Sequence, residues 1–395
     1  MTFRARKCSP HDQRPRMIAF LLTIVLLGVF PLDVILPSIP TLSLYFGTPV
    51  QNMGLTLSLF IAVVAMSQLV IGPLSDATGR KKVLLCGISL AVIGALGCAQ
   101  ASDFSSFLFF RMLQALGCGC FGLANALVQD MFLGTQRDSV RMITTTAGGI
   151  FICLSPLAGT ALQAIFDWPG SFYGFCVVAL IVLFAAARLL KPDDVQRPVR
   201  HDASIMGSYA TLLALPGFMS YCVVAAIAFA CHFAFIVMSP IVFLDRLGFS
   251  QLEFSWVLMA YGTAYLGSGW IAHAVHGKLG RDRQLLPGIG LIGLSGSMLI
   301  AFDALIGLSV AGILLPMIFC TVGTTLTRTA ATGKAMDICP QRAGAASSLL
   351  STVVFLIGGG MSALASLSNW APAVTLGVGF IGLSGVAALI IAMLK

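Results

Sequence analysis

Apolar residues in this chain come in long blocks, without the alternation of a half-buried strand or the one-sided stripe of a soluble helix. Each block ends in a short connector rich in Gly, Pro, Arg or Lys. With about 20 apolar residues needed to cross a bilayer, the blocks predict a first span from Met17. Eleven more follow near 52–74, 83–101, 105–129, 141–164, 171–190, 216–242, 254–275, 285–302, 305–328, 344–366 and 371–393. The fold class is therefore an all-α membrane protein of twelve transmembrane helices. The first block continues past Asp33 to Pro40 without an Ala-x-Ala cleavage site, so it is read as an uncleaved span and not as a leader.

The longest polar segment, Lys191 to Asp202, divides the spans six and six. The predicted layout is a basic cytoplasmic tail at 1–16, an N-terminal six-helix bundle at 17–190, a cytoplasmic linker at 191–215 and a C-terminal six-helix bundle at 216–395. Features recur about two hundred residues apart. The stretch Ala272 to Arg283 follows the eighth span as Gly72 to Lys82 follows the second, and Gln341-Arg342 precedes the eleventh as Gln136-Arg137 precedes the fifth. Such parallel repeats place two pseudo-symmetric halves face to face across a cavity.

Composition removes the soluble alternative: of 395 residues, 58% are hydrophobic and 10% charged, and mean hydropathy is +0.96. The net charge of +8 arises from cations dispersed over connectors, which argues against a nucleic-acid partner. Their distribution reports topology instead. With both termini cytoplasmic, the inner connectors hold Arg80, Lys81, Lys82, Arg137, Arg141, Lys191, Arg197, Arg200, Lys278, Arg281, Arg283, Lys334 and Arg342, and the outer connectors only Arg246. Most of the eleven cysteines lie inside apolar runs and read as small buried hydrophobes. Cys118-x-Cys120 lacks metal-ligand spacing and companions, so neither metal nor cofactor is expected.

Ionisable residues inside spans are costly, which makes the few present informative. Asp33 lies in Phe30-Pro-Leu-Asp33-Val-Ile-Leu-Pro37 of the first span, and Arg111 in the fourth. At 1.5 Å per residue both fall roughly 10 Å from the outer ends of their helices, so they can share a depth. Gln114, one turn from Arg111, can hydrogen-bond either group. A change in the separation or hydration of such a pair switches protonation; the plain alternative is a static ion pair joining two helices. His232, 232 − 33 = 199 residues after Asp33, holds the matching place in the seventh span and is either a second proton site, a substrate contact or a histidine satisfied by backbone. Asp130 and Arg328 read as cytoplasmic helix ends that either latch onto basic loops or sit in solvent. Gly148 and Ser155-Pro156-Leu-Ala-Gly159 permit close packing and a bend in the fifth span. Gly72-Pro73 through Gly79 to Lys82 predicts a polar hairpin that leaves the helix at Gly72.

These residues resemble a known family. Gly72-Pro-Leu-Ser-Asp76-Ala-Thr-Gly79-Arg80-Lys-Lys82 is similar to the signature loop of the major facilitator superfamily, Arg111-Met-Leu-Gln114-Ala-Leu-Gly117 to its fourth-helix motif, and Gly148 through Gly159 to its antiporter motif. With Leu32-Asp33 and Leu36-Pro37 in the first helix and Arg342 to Ser348 opening the eleventh, the chain resembles the bicyclomycin/chloramphenicol-type drug:proton antiporters of bacteria. The resemblance implies a monomeric, proton-coupled exporter of small amphipathic organic compounds in the bacterial inner membrane, working by alternating access. It assigns proton coupling to Asp33, Arg111 and Gln114, a conformational latch to Gly72, Asp76, Gly79 and Arg80, and a hinge to Gly148, Pro156 and Gly159. His232 is a possible cavity residue. Two departures stand out: Ser155-Pro156 replaces the family's Gly-Pro, and the second-half loop lacks the full signature. An exporter of an endogenous metabolite such as a siderophore uses the same machinery. An integral-membrane enzyme is disfavoured, since neither His-Glu-x-x-His nor Gly-x-Ser-x-Gly occurs, and a channel because one acid and one arginine build no charged ring.

Overall fold

A computed structural model describes residues 10–132, 134–190, 205–339 and 343–394. The first span is α1 (Pro10–Asp33), a 3₁₀ turn Leu36–Ser38, and α2 (Ile39–Tyr45). Then come α3 (Val50–Thr78), α4 (Arg80–Ala99), α5 (Phe104–Cys118) continued through a 3₁₀ turn into α6 (Leu123–Met131), α7 (Gly134–Phe166) and α8 (Gly170–Leu189). After a short α9 (Ile205–Leu213), the second half has α10 (Pro216–Pro240), α11 (Gln251–Ile306), α12 (Val310–Ile338), α13 (Ala343–Ser366) and α14 (Pro372–Met393). Among the described residues there is no strand.

Among the described residues, eleven segments are long and apolar enough to cross a membrane. The twelfth crossing is hidden in α11, whose 56 residues form two limbs. A straight helix would hold residues 272 and 284 about 18 Å apart, yet Gln284 Nε2 donates to Ala272 O at 3.1 Å. The chain therefore doubles back between them, and the limbs are the eighth and ninth spans.

Several boundaries differ from the sequence reading. α3 does not stop at Gly72-Pro73 but runs to Thr78. Pro73 withholds only the N–H that would reach Leu69 O, a loss a helix in a bundle tolerates, and the helix continues; the Ser75 hydroxyl also donates to Gly72 O at 2.7 Å. The turn falls at Gly79, whose φ of 101° suits glycine. α1 begins at Pro10, inside the expected tail, and α9 occupies part of the expected linker, of which 191–204 lie outside the described residues. The tenth span runs from Val310 to Ile338 where 305–328 was expected, because Ser309 caps its start by accepting from Gly312 N.

Within the first half α4 packs on α5 and α1 on α7; between halves the seams are α3 with α13 and α7 with the first limb of α11. The seams are apolar, with a few hydroxyl contacts. Ser58 Oγ lies 2.8 Å from Ser362 Oγ, Thr160 Oγ1 lies 2.7 Å from Ser255 Oγ, and Thr352 donates to Ala65 O at 3.4 Å.

Candidate functional site

The first span breaks at Asp33 for a covalent reason. Pro37 has no N–H to give Asp33 O, and a residue before proline resists the helical region, so α1 ends and a 3₁₀ turn takes over. A broken helix leaves carbonyls without partners. Two are taken up by side chains from other helices: Arg111 Nη2 of α5 donates to Pro31 O at 2.6 Å, and Ser171 Oγ of α8 donates to Val34 O at 3.3 Å. A guanidinium at a helix C-terminus also meets the negative end of the helix dipole.

Arg111 is 1% exposed. Its Nη1 donates to Gln114 Oε1 at 2.7 Å, and its Cζ stands 4.2 Å above the centre of the Phe60 ring, which together offset part of the cost of burying a charge. Arg111 Nε and Gln114 Nε2 are buried with no hydrogen-bond partner. The start of α5 is fixed by Asp103, which accepts from Ser106 N at 2.9 Å and Ser106 Oγ at 2.6 Å; these bonds hold its carboxyl below the usual range.

Asp33 itself is half-buried, with no hydrogen bond or ion pair among the described residues. The structure thus brings Arg111 and Gln114 together and sets the guanidinium on a carbonyl two residues from Asp33, not on the carboxylate. The fifth span closes the other side: a Cβ at Gly159 would lie 2.1 Å from Val34 O, so only glycine lets α7 reach this break. Pro156 O accepts from Ser255 Oγ at 3.1 Å, and Gly148 faces Val25.

At the Gly72–Lys82 end, Arg80 pairs with Asp76 (Nη2–Oδ1 2.5 Å) and with Asp130 (Nε–Oδ2 3.3 Å), and also donates to Ser75 Oγ. Lys81 Nζ donates to Ala187 O and Leu190 O, both at 2.7 Å, at the C-terminus of α8. All of these partners belong to the first half. Gly72 faces Ser348 Oγ of α13 in the second half.

His232 is where the seventh span meets the eighth and tenth. Its Nδ1 shares a 2.6 Å hydrogen bond with Tyr261 Oη, so the side chain is held by another side chain. It lines a small cavity with Phe229, Tyr265, Thr324, Thr325 and Arg328. Arg328 was expected at a cytoplasmic helix end. Because α12 continues to Ile338, Arg328 lies ten residues, about 15 Å, inside it. The signal that would have found it is Thr329-Ala-Ala-Thr-Gly333, uncharged residues after the arginine that let the span continue.

Residues 18–363 match the sequence profile of the Major Facilitator Superfamily. The chain is 30% identical over 353 residues to a chloramphenicol resistance protein of Pseudomonas aeruginosa, covering 85% of this chain and 81% of that one. It is 26% identical over 363 residues to a bicyclomycin resistance protein homolog of Haemophilus influenzae, covering 89% and 90%. Among solved structures, the xylose transporter XylE from E. coli, in a partially occluded inward-open conformation, superposes with a TM-score of 0.74 at 14% identity, covering 97% of this chain and 98% of that one. That likeness carries the fold.

Proposed function

This chain belongs to the Major Facilitator Superfamily, and from that premise we propose that it is a proton-coupled antiporter exporting small amphipathic organic compounds across the bacterial inner membrane. Relatives named for chloramphenicol and bicyclomycin resistance support export of drug-like molecules. The observation that carries the coupling is Asp33: a half-buried carboxyl without a described partner, at a helix break whose Pro31 carbonyl is held by Arg111.

In this reading Asp33 takes a proton from the outer side, which releases substrate, and gives it up toward the cytoplasm, which resets the site. A proton entering down 100 mV contributes about 2.3 kcal/mol, enough to drive a useful gradient. Arg111 and Gln114 hold the broken end of α1 on which Asp33 stands. Gly72, Asp76, Gly79 and Arg80 latch the end at which they lie, and Gly148, Pro156 and Gly159 let α7 tilt. The protein acts as a monomer with both termini in the cytoplasm.

The test is proton-driven uptake of chloramphenicol into everted vesicles. Asp33→Asn abolishes uptake while the protein stays inserted and elutes as wild type in detergent; uptake by that variant at the wild-type rate overturns the assignment.

A further inference from the structure

The cavity between α10, the first limb of α11, and α12 has an unusual balance of polar groups. Arg328 is half-buried there, and among the described residues it makes no hydrogen bond or ion pair; its guanidinium stands over the face of Phe229, 5.4 Å from the ring centre, and is close enough to His232 for its charge to act there. Tyr265 lines the same cavity with no described hydrogen bond on its hydroxyl. The two threonines already donate, both to Thr321 O, at 3.0 and 2.8 Å. No carboxylate lines the cavity. A cation within a span is costly without a counter-charge, and here the protein supplies donors but no described anion.

We propose that Arg328 is the anion-binding subsite of the transport cavity and that it takes the carboxylate of an exported aromatic acid. This deepens the export reading above and rests on it. The guanidinium fork matches a carboxylate with two parallel bonds, and Tyr265 adds a donor beside it. The ring of the ligand then lies against Phe229 and Tyr265, already grouped with His232, whose ring centre is 6.4 Å from Phe229 and 5.0 Å from Tyr265. The cavity as it stands, ≈ 10 Å³, has room for about one water. The acid therefore enters only when the halves part: on α13, Gly358 packs on the Phe229 ring and the adjacent Gly359 packs across the seam on Ser58 O of α3. The subsite lies in the second half and the carboxyl of Asp33 in the first, so an acid held by Arg328 and a proton held by Asp33 occupy separate places.

The experiment uses the full chain in lipid nanodiscs with nalidixic acid and its ethyl ester, which differ in the carboxylate charge. Wild type binds the acid about tenfold more tightly than the ester. Arg328→Gln removes that preference and leaves ester binding within about twofold, whereas Arg328→Lys, which keeps the charge and loses the fork, retains part of it. Wild type binding neither ligand, or both equally, overturns the proposal, as does a preference that survives in Arg328→Gln. Parallel loss of acid and ester binding in Arg328→Gln marks a structural arginine and also overturns it. If Arg328→Gln is recovered only as aggregate, Arg328→Lys decides: acid affinity falling with ester affinity unchanged supports the subsite, and any other pattern sinks it. Transport of the same pair is read separately in everted vesicles. An Arg328-dependent preference without transport of either compound leaves the subsite standing and refutes export of these compounds.

Discussion

Arg111 and Arg328 are both arginines within spans, one in each half, and the fold treats them differently. Arg111 is enclosed, tied to Pro31 O and Gln114 Oε1, and stacked on Phe60. Arg328 is half-buried, touches one ring, and borders a cavity. The first closes a gap in the backbone of α1; the second leaves its donors available. The difference teaches that a charge inside a span is read from what its hydrogens already serve, not from its presence.

The sharpest way to break this comparison is to remove both side chains in turn. Arg111→Ala strands the Pro31 carbonyl and the buried Gln114 amide and costs about 3 kcal/mol or more, read as a large fall in thermal unfolding temperature in detergent. Arg328→Ala moves that temperature little, since no described hydrogen bond is lost. Equal falls would erase the distinction. Next in size is Gly159→Ala. Its Cβ would press on the Val34 carbonyl, so the α1 break must shift, at about 1–3 kcal/mol, with loss of transport beyond the loss of stability. The smallest effect is at the cap that sets the start of α5. The Asp103 carboxyl is held below its usual range, so its contribution is present above about pH 4, the unfolded value, and is lost as pH falls through the lower folded value. Asp103→Asn flattens that acid limb of the stability curve; a limb identical to wild type would remove the cap from the account.

Much of the architecture was legible because hydrocarbon imposes length and polarity on every span. Asp33, Arg111 and Gln114 stood out for the same reason: polar groups in apolar blocks have few innocent explanations. What could not be read was the partner of Arg111, because a backbone carbonyl has no letter of its own in the sequence. The end of α3 was misplaced for a related cause. Gly72-Pro73 is a strong stop signal in water, but in a bundle the proline costs the helix one hydrogen bond, that to Leu69 O, and the helix runs on past it. Arg328 was misjudged because its depth depends on where α12 ends: five uncharged residues, Thr329 to Gly333, follow it, and the helix runs on to Ile338.

The seams between the halves have an energetic consequence of their own. Polar contacts described across them, such as Ser58 with Ser362, Thr160 with Ser255, Ser255 with Pro156 O, and Thr352 with Ala65 O, join neutral groups and are not ion pairs. Each can be exchanged for a water molecule with little net change in energy. These hydroxyls therefore add little of their own to the work of parting the two faces, which falls mainly on the apolar packing around them.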